Sequence, residues 1–150
     1  MTGLTFREAS RDDLQTIVNM LADDHLGTMR ESPDDLTPYE AAFDAISSDP
    51  NQILVVCERD GAIAGTMQLT ITPGLSHRGA SRMTVEGVRV HREARGSGIG
   101  GDMVRWAITQ ARERGCRMVQ LTTDKTRPDA HRFYERLGFE PTHIGYKLKL

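Results

Sequence analysis

Arg95-Gly96-Ser97-Gly98-Ile99-Gly100-Gly101 decides the fold. It follows the apolar run Met83–Val90 and precedes Val104, Ala107, Ile108 and Ala111 at helical spacing. Glycines let the chain turn tightly, so that several main-chain N–H groups point to one spot at a helix N-terminus. The helix dipole adds positive potential there, and the combination binds phosphate. Arg92 and Arg95 flank the turn as charge partners. A nucleoside-triphosphate loop needs Lys and then Ser or Thr after the last glycine, but Asp102 stands there. Gly96, Gly98 and Gly101 also satisfy the dinucleotide spacing, with Asp124 closing the next strand. That fold needs several more βαβ units. Only about fifty residues remain after the turn, and an antiparallel hairpin precedes it.

Upstream, Ile53–Cys57 and Ile63–Ile71 are apolar runs joined through Asp60-Gly61, a strong hairpin signal. Leu4–Glu8 reads as a short strand. Ser10 and Asp13 then resemble a capping box ahead of a helix with Leu14, Ile17, Val18 and Leu21 on its inner stripe. His25–Leu36 is a polar loop, and a second helix begins near Pro38. Within Met83–Val90 the apolar parity switches at Glu86-Gly87. Either a one-residue bulge restores a single face, or the strand is buried on both sides. Downstream, Val119–Thr122 reads as a buried parallel strand. Pro128 opens a helix with Ala130, Phe133, Tyr134 and Leu137 inside, and Ile144–Leu150 reads as a last strand.

At 150 residues, 38% hydrophobic and 27% charged, the chain fits one soluble domain, 1–150. No apolar run could span a bilayer, no secretory signal is visible, and Cys57 and Cys116 form no disulfide framework; a cytoplasmic protein without a membrane partner is expected. The net charge of −2 conceals an asymmetry: residues 1–75 carry four basic and thirteen acidic side chains, residues 76–150 fifteen and eight. The basic residues are scattered with few aromatics between them, so no nucleic-acid partner is expected. No histidine or cysteine spacing suits a metal.

Taken together these residues resemble the GNAT superfamily of N-acetyltransferases. Arg95-x-x-Gly98-x-Gly100 is similar to its pyrophosphate signature. Ala130-His131-Arg132-Phe133-Tyr134-Glu135-Arg136-Leu137-Gly138-Phe139 resembles its second motif, and the element order covers nearly the whole chain. The resemblance implies an α/β fold with a mixed, mostly antiparallel sheet of about six to seven strands, flanked by about four helices and splayed at Glu86-Gly87. It implies acetyl-CoA as co-substrate, a primary amine of a small molecule or peptide as acceptor, direct attack in a ternary complex and, as is common in the family, a homodimer. The cofactor would lie against Val88, Arg89 and Val90 and the turn formed by Arg95, Gly96, Ser97, Gly98, Ile99, Gly100 and Gly101. Arg127 stands where the family often has an Asn contacting the cofactor.

Acetyl transfer needs a neutral amine and a leaving thiolate. Neutralising a lysine-like amine at pH 7 costs about 4.6 kcal/mol, which makes Glu86 the candidate base if burial raises its pKa. The other reading of Glu86 is a carboxylate that only binds a cationic substrate or pairs with an arginine. Tyr134 is the candidate acid for the thiolate; from periodicity alone it reads as a core tyrosine. Met29, Arg30 and Glu31 line the acceptor pocket by family analogy. The acceptor stays open among polyamine, aminoglycoside, amino acid and protein N-terminus. The rival reading is a silent acyl-CoA sensor of the same fold.

Overall fold

Asp60 and Gly61 both take positive φ, 55° and 78°, the geometry a tight two-residue hairpin requires. In the computed structural model, which describes residues 3–150, they join β2 (Gln52–Arg59) to β3 (Ala62–Thr72). β1 (Thr5–Glu8) pairs antiparallel with β2, and β4 (Arg82–Val90) antiparallel with β3. β5 (Met118–Gln120) lies parallel to β4, completing a five-stranded sheet in the order β1-β2-β3-β4-β5. The helices are α1 (Leu14–Ala22), the single turn α2 (Gly27–Arg30), α3 (Thr37–Ser47), the single turn α4 (Ser76–Gly79), α5 (Ile99–Glu113) and α6 (Pro128–Arg136).

Alternation along the central strands sends side chains to two helical layers. Ile53, Val55, Cys57, Leu69, Met83 and Val85 pack with Met103, Ala107 and Ala111 of α5. On the opposite face Val56 meets Ile17 and Met20 of α1. Burial pushes the Cys57 thiol up to about 11, and both cysteines are free.

The parity switch in β4 is a bulge. Gln68 faces Glu86 and Thr66 faces Arg89, so Met67 is opposed by both Gly87 and Val88. Gly87 supplies the positive φ, 62°, that the extra residue needs. The bulge returns Val88 and Val90 to the core that already holds Met83 and Val85. β4 is therefore not a strand buried on both sides, and Glu86 is exposed.

Two sequence expectations need correction. Val119–Thr122 is parallel as read, but it forms the sheet's edge and none of it is buried, because nothing packs beyond it. Ile144–Leu150 is not a strand of this sheet. The sheet therefore has five strands rather than six to seven, since the alternation in that segment meets no neighbouring backbone. The architecture is otherwise the mixed, mostly antiparallel one expected.

Arg7 ties β1 to the entry of α1. Its guanidinium donates to both oxygens of buried Asp13 at 2.7 and 3.0 Å, and the Ser10 N–H donates to the same carboxylate at 2.7 Å. The Arg7 hydrogen bonds hold the Asp13 pKa down at about 2, against the burial that opposes them. A depressed carboxylate stabilises the fold above its unfolded pKa near 4 and loses that contribution as pH falls toward 2. Because Arg7 is half exposed, solvent screening reduces the contribution to about 1 kcal/mol. Asp13→Asn is expected to lower stability by that order in urea unfolding at pH 7, with the gap to wild type closing by about pH 2. A gap independent of pH would show that the ion pair contributes nothing.

Candidate active site

β4 and β5 pair only from Arg82 with Met118 to Thr84 with Gln120. Beyond Thr84 no strand flanks β4 on that side among the described residues, so the sheet parts ahead of the Glu86-Gly87 bulge. α5 begins just past the end of β4. At its N-terminus Gly96 and Gly98 both stand at φ 81°, and a side chain on either would project into open space. Asp102 N–H is the first to close back within the helix, onto the Gly98 carbonyl, which leaves the earlier amides of the turn without an intrahelical partner. Ile99 and Gly101 are buried beneath, anchoring the arc. A Cβ on Gly100 would lie 3.4 Å from the Phe133 ring and 3.6 Å from Val90, so the arc, the end of β4 and α6 are close neighbours. The Ser97 hydroxyl donates to the Ala94 carbonyl at 2.6 Å, a structural use that closes the turn.

The charge asymmetry of the chain meets here. Asp23, at the end of α1, pairs with Arg92, and its side chain and carbonyl both accept from Arg95, so the arginines flanking the arc are held by the acidic half. The Arg92 hydrogen bond holds the Asp23 carboxyl below its usual range. Asp24 lies 3.3 Å from Arg89 and 3.9 Å from Arg127. Burial pushes the Asp24 pKa up, but the Gly27 N–H and the charges of Arg89, Arg127 and Arg30 outweigh it and keep the group ionised. Asp24 Oδ2 and Arg89 Nε are buried without a hydrogen-bond partner among the described residues.

Tyr134 sits on α6 with its ring edge-on to Phe133 and Phe139. Burial raises its pKa, and Arg127 and Arg89 act on it in the opposite direction. Arg127 thus stands with Tyr134 and Asp24. The backbone expected to receive the cofactor is partly engaged: the Val88 carbonyl accepts from the Arg89 guanidinium at 2.9 Å and the Val90 carbonyl from Arg95 at 3.2 Å. Glu86 lacks the burial on which its role as base was conditioned. In the α2 region Met29 is exposed, Arg30 projects its charge onto Asp24, Arg89 and Asp124, and Glu31 accepts from the Tyr39 hydroxyl at 2.8 Å.

Asp23 and Asp24 are the residues that sequence reasoning missed. The signal available was the acidic first half, which shows that negative charge is present but not where it docks. No group of three or more His, Cys, Asp or Glu among the described residues could hold a metal ion. No helix among them is long and apolar enough to cross a membrane.

Comparison with known proteins places this geometry. A crystal structure from Bacillus halodurans C-125, described as a transcriptional regulator, is 50% identical, with a TM-score of 0.94 over 98% of this chain and 99% of that one. Aminoalkylphosphonate N-acetyltransferase of Salmonella typhimurium is 28% identical over 140 residues, 93% of this chain and 87% of that protein. Glucosamine-6-phosphate N-acetyltransferase from Arabidopsis thaliana, 20% identical, shares the fold with a TM-score of 0.77 over 97% of each chain. The family model described as Acetyltransferase (GNAT) family matches residues 14–139. With that match spanning the parted sheet, the amide arc and α6 alike, this chain belongs to the GNAT family of acetyltransferases.

Proposed function

We propose that the protein is an acetyl-CoA-dependent N-acetyltransferase whose acceptor is a primary amine carrying an anionic group, attacked directly in a ternary complex. The observation that carries this reading is the amide arc opening onto the parted end of β4, with Tyr134 on the facing helix. The arc suits a pyrophosphate: its first amides have no intrahelical partner, and a Cβ at Gly96 or Gly98 would meet no protein atom within 4 Å. Acetyl-CoA would supply an acyl group activated as a thioester. Gly96 to Gly101 would hold its diphosphate, and the backbone of Val88 and Val90 its extended arm. A free N–H beside Gly87 would polarise the acyl carbonyl. Glu86, open to solvent, would serve as the carboxylate that binds the cationic amine, whose proton leaves to water.

Arg30, Arg89 and Arg127 support the anionic half of the acceptor. All three act on Asp24, Arg30 and Arg127 also act on Asp124, and Arg89 and Arg127 act on Tyr134, so three guanidinium groups face two carboxylates here. Guanidinium groups suit phosphonate and phosphate oxygens. The Salmonella relative's name, an aminoalkylphosphonate N-acetyltransferase, points the same way.

The test is thiol release from acetyl-CoA over a panel of amines: an aminoalkylphosphonate, the same alkylamine without the phosphonate, an amino acid, a polyamine and an aminoglycoside. The phosphonate is expected to have a kcat/KM at least about tenfold above its plain counterpart, and Arg30→Ala is expected to erase that preference. Equal rates for the pair would remove the anionic acceptor and leave the acetyltransferase. Tight coenzyme A binding with no turnover of any amine would instead support a sensor.

A further inference from the structure

Asp23 and Asp24 dock on Arg89, Arg92, Arg95 and Arg127, but other arginines of the basic half go unmatched. Three of these, Arg78, Arg82 and Arg117, meet at one place. With Ser76, His77 and Ser81 they line a cavity of about 420 Å³, and no carboxylate is among its walls. None of the three has a carboxylate at ion-pair distance among the described residues.

Three separate segments build the convergence. Arg82 opens β4 and stands in register with Met118, the first residue of β5. The Arg117 N–H donates to the Ser81 carbonyl at 2.9 Å and ties the two strand starts together. A Cβ on Gly74 would lie 3.5 Å from Arg82 Nη1, so this guanidinium reaches back to the loop between β3 and β4. In that loop His77 and Arg78 take φ 52° and 61°, left-handed values that favour glycine, and Gly79 follows at 75°. The turn is closed by Gly79 N–H donating to the Leu75 carbonyl at 3.0 Å, and it sets His77 and Arg78 in the cavity wall.

We infer that this cavity is a second anion site, which takes a small molecule carrying two or more phosphate groups. Guanidinium groups bind phosphate oxygens through paired N–H donors, and three of them match the charge of a polyphosphate. The hydroxyls of Ser76 and Ser81 add single hydrogen bonds. The volume lies within the range of small-molecule pockets. No Phe, Tyr or Trp lines the cavity, so a nucleic-acid strand would find no platform for its bases. The amide arc lies past the far end of β4, roughly 25 Å away along the strand. The site is therefore separate from the one proposed for the cofactor, and it does not depend on which acceptor the enzyme uses.

The test titrates inorganic pyrophosphate into the full chain saturated with coenzyme A, which keeps the arc filled. Nitrogen-15 NMR is expected to show the amides of residues 76–82 and 117–118 moving first. That map separates the two sites even if coenzyme A fails to bind. Arg78→Gly combined with Arg117→Gln removes two charges at exposed positions, and glycine suits the φ at 78. The double variant is expected to raise the Kd for pyrophosphate at least about tenfold. Arg105→Gln, at an exposed arginine already paired with Asp102, is expected to change it less than about twofold. Shifts that begin at Arg30, Arg89 or Arg127, no shifts at all, or a Kd unmoved in the double variant would each overturn the site. A short oligothymidylate binding the same amides more tightly than pyrophosphate would overturn it too, in favour of a nucleic-acid surface.

Discussion

Gly98→Val is expected to raise the Kd for acetyl-CoA by at least about a hundredfold, equivalent to roughly 2.7 kcal/mol, measured by isothermal titration calorimetry. Two effects contribute and they can be separated. Gly98 stands at φ 81°, where a β-branched residue is strained by about 1–3 kcal/mol, so part of the cost is borne by the fold. The larger effect is local. The Gly98 Cβ direction is open space in front of the arc, so isopropyl atoms would stand where the diphosphate oxygens approach the amides. Gly115 is the control. It has φ 74° and the same empty surroundings, but it lies past the far end of α5, about 22 Å along a helix of 15 residues. Gly115→Val is expected to lower the melting temperature about as much as Gly98→Val while leaving the Kd within about threefold. If both variants bind acetyl-CoA like wild type, the arc is not where the diphosphate sits.

What could be read from the sequence is what local chemistry specifies. Asp60-Gly61 forces positive φ at two adjacent positions, Pro128 opens α6 at its first residue, and the glycines after Arg95 end a strand and begin a helix. Each outcome is set within about ten residues. The bulge in β4 lay at the edge of legibility. The parity switch located it, but two-sided burial explains the same letters, and only the register of β3 against β4 decides. Asp23 and Asp24 lay beyond it. Their partners Arg92, Arg95, Arg89 and Arg127 are 65 or more positions away, and a charge count cannot say which acids meet which bases. Glu86 shows the same limit from the other side. Its position next to the bulge was correct, whereas its exposure follows from which face the bulge turns outward. The segment Ile144–Leu150 is instructive in a different way. Alternation states which side of an extended chain seeks cover, but a strand is defined by its neighbour, and the sequence does not name that neighbour.

Tyr134→Phe is expected to lower kcat by about 10- to 1000-fold while the Kd for acetyl-CoA changes by less than about threefold. The variant keeps the edge-on contacts with Phe133 and Phe139, so packing is conserved and only the hydroxyl is lost. The chemistry of that hydroxyl is constrained by acidity. A thiol near pKa 8.5 is a stronger acid than a phenol near 10, so complete proton transfer from the tyrosine to the leaving thiolate is uphill by roughly 2 kcal/mol. Burial raises Tyr134 and makes the transfer steeper, with Arg127 and Arg89 offsetting part of that rise. In the proposed reaction Tyr134 would therefore donate a hydrogen bond to sulfur as negative charge develops there, and the proton would reach the thiolate afterwards from the acceptor's nitrogen by way of solvent. A donor of this kind must stay protonated, and a group raised above its ordinary value of 10 does so throughout the neutral range. The ratio of wild-type to Tyr134→Phe rates is consequently expected to be flat from about pH 7 to pH 9. A ratio falling across that interval would show the hydroxyl ionising within it. A kcat unchanged in the variant would reduce Tyr134 to a packing residue of α6.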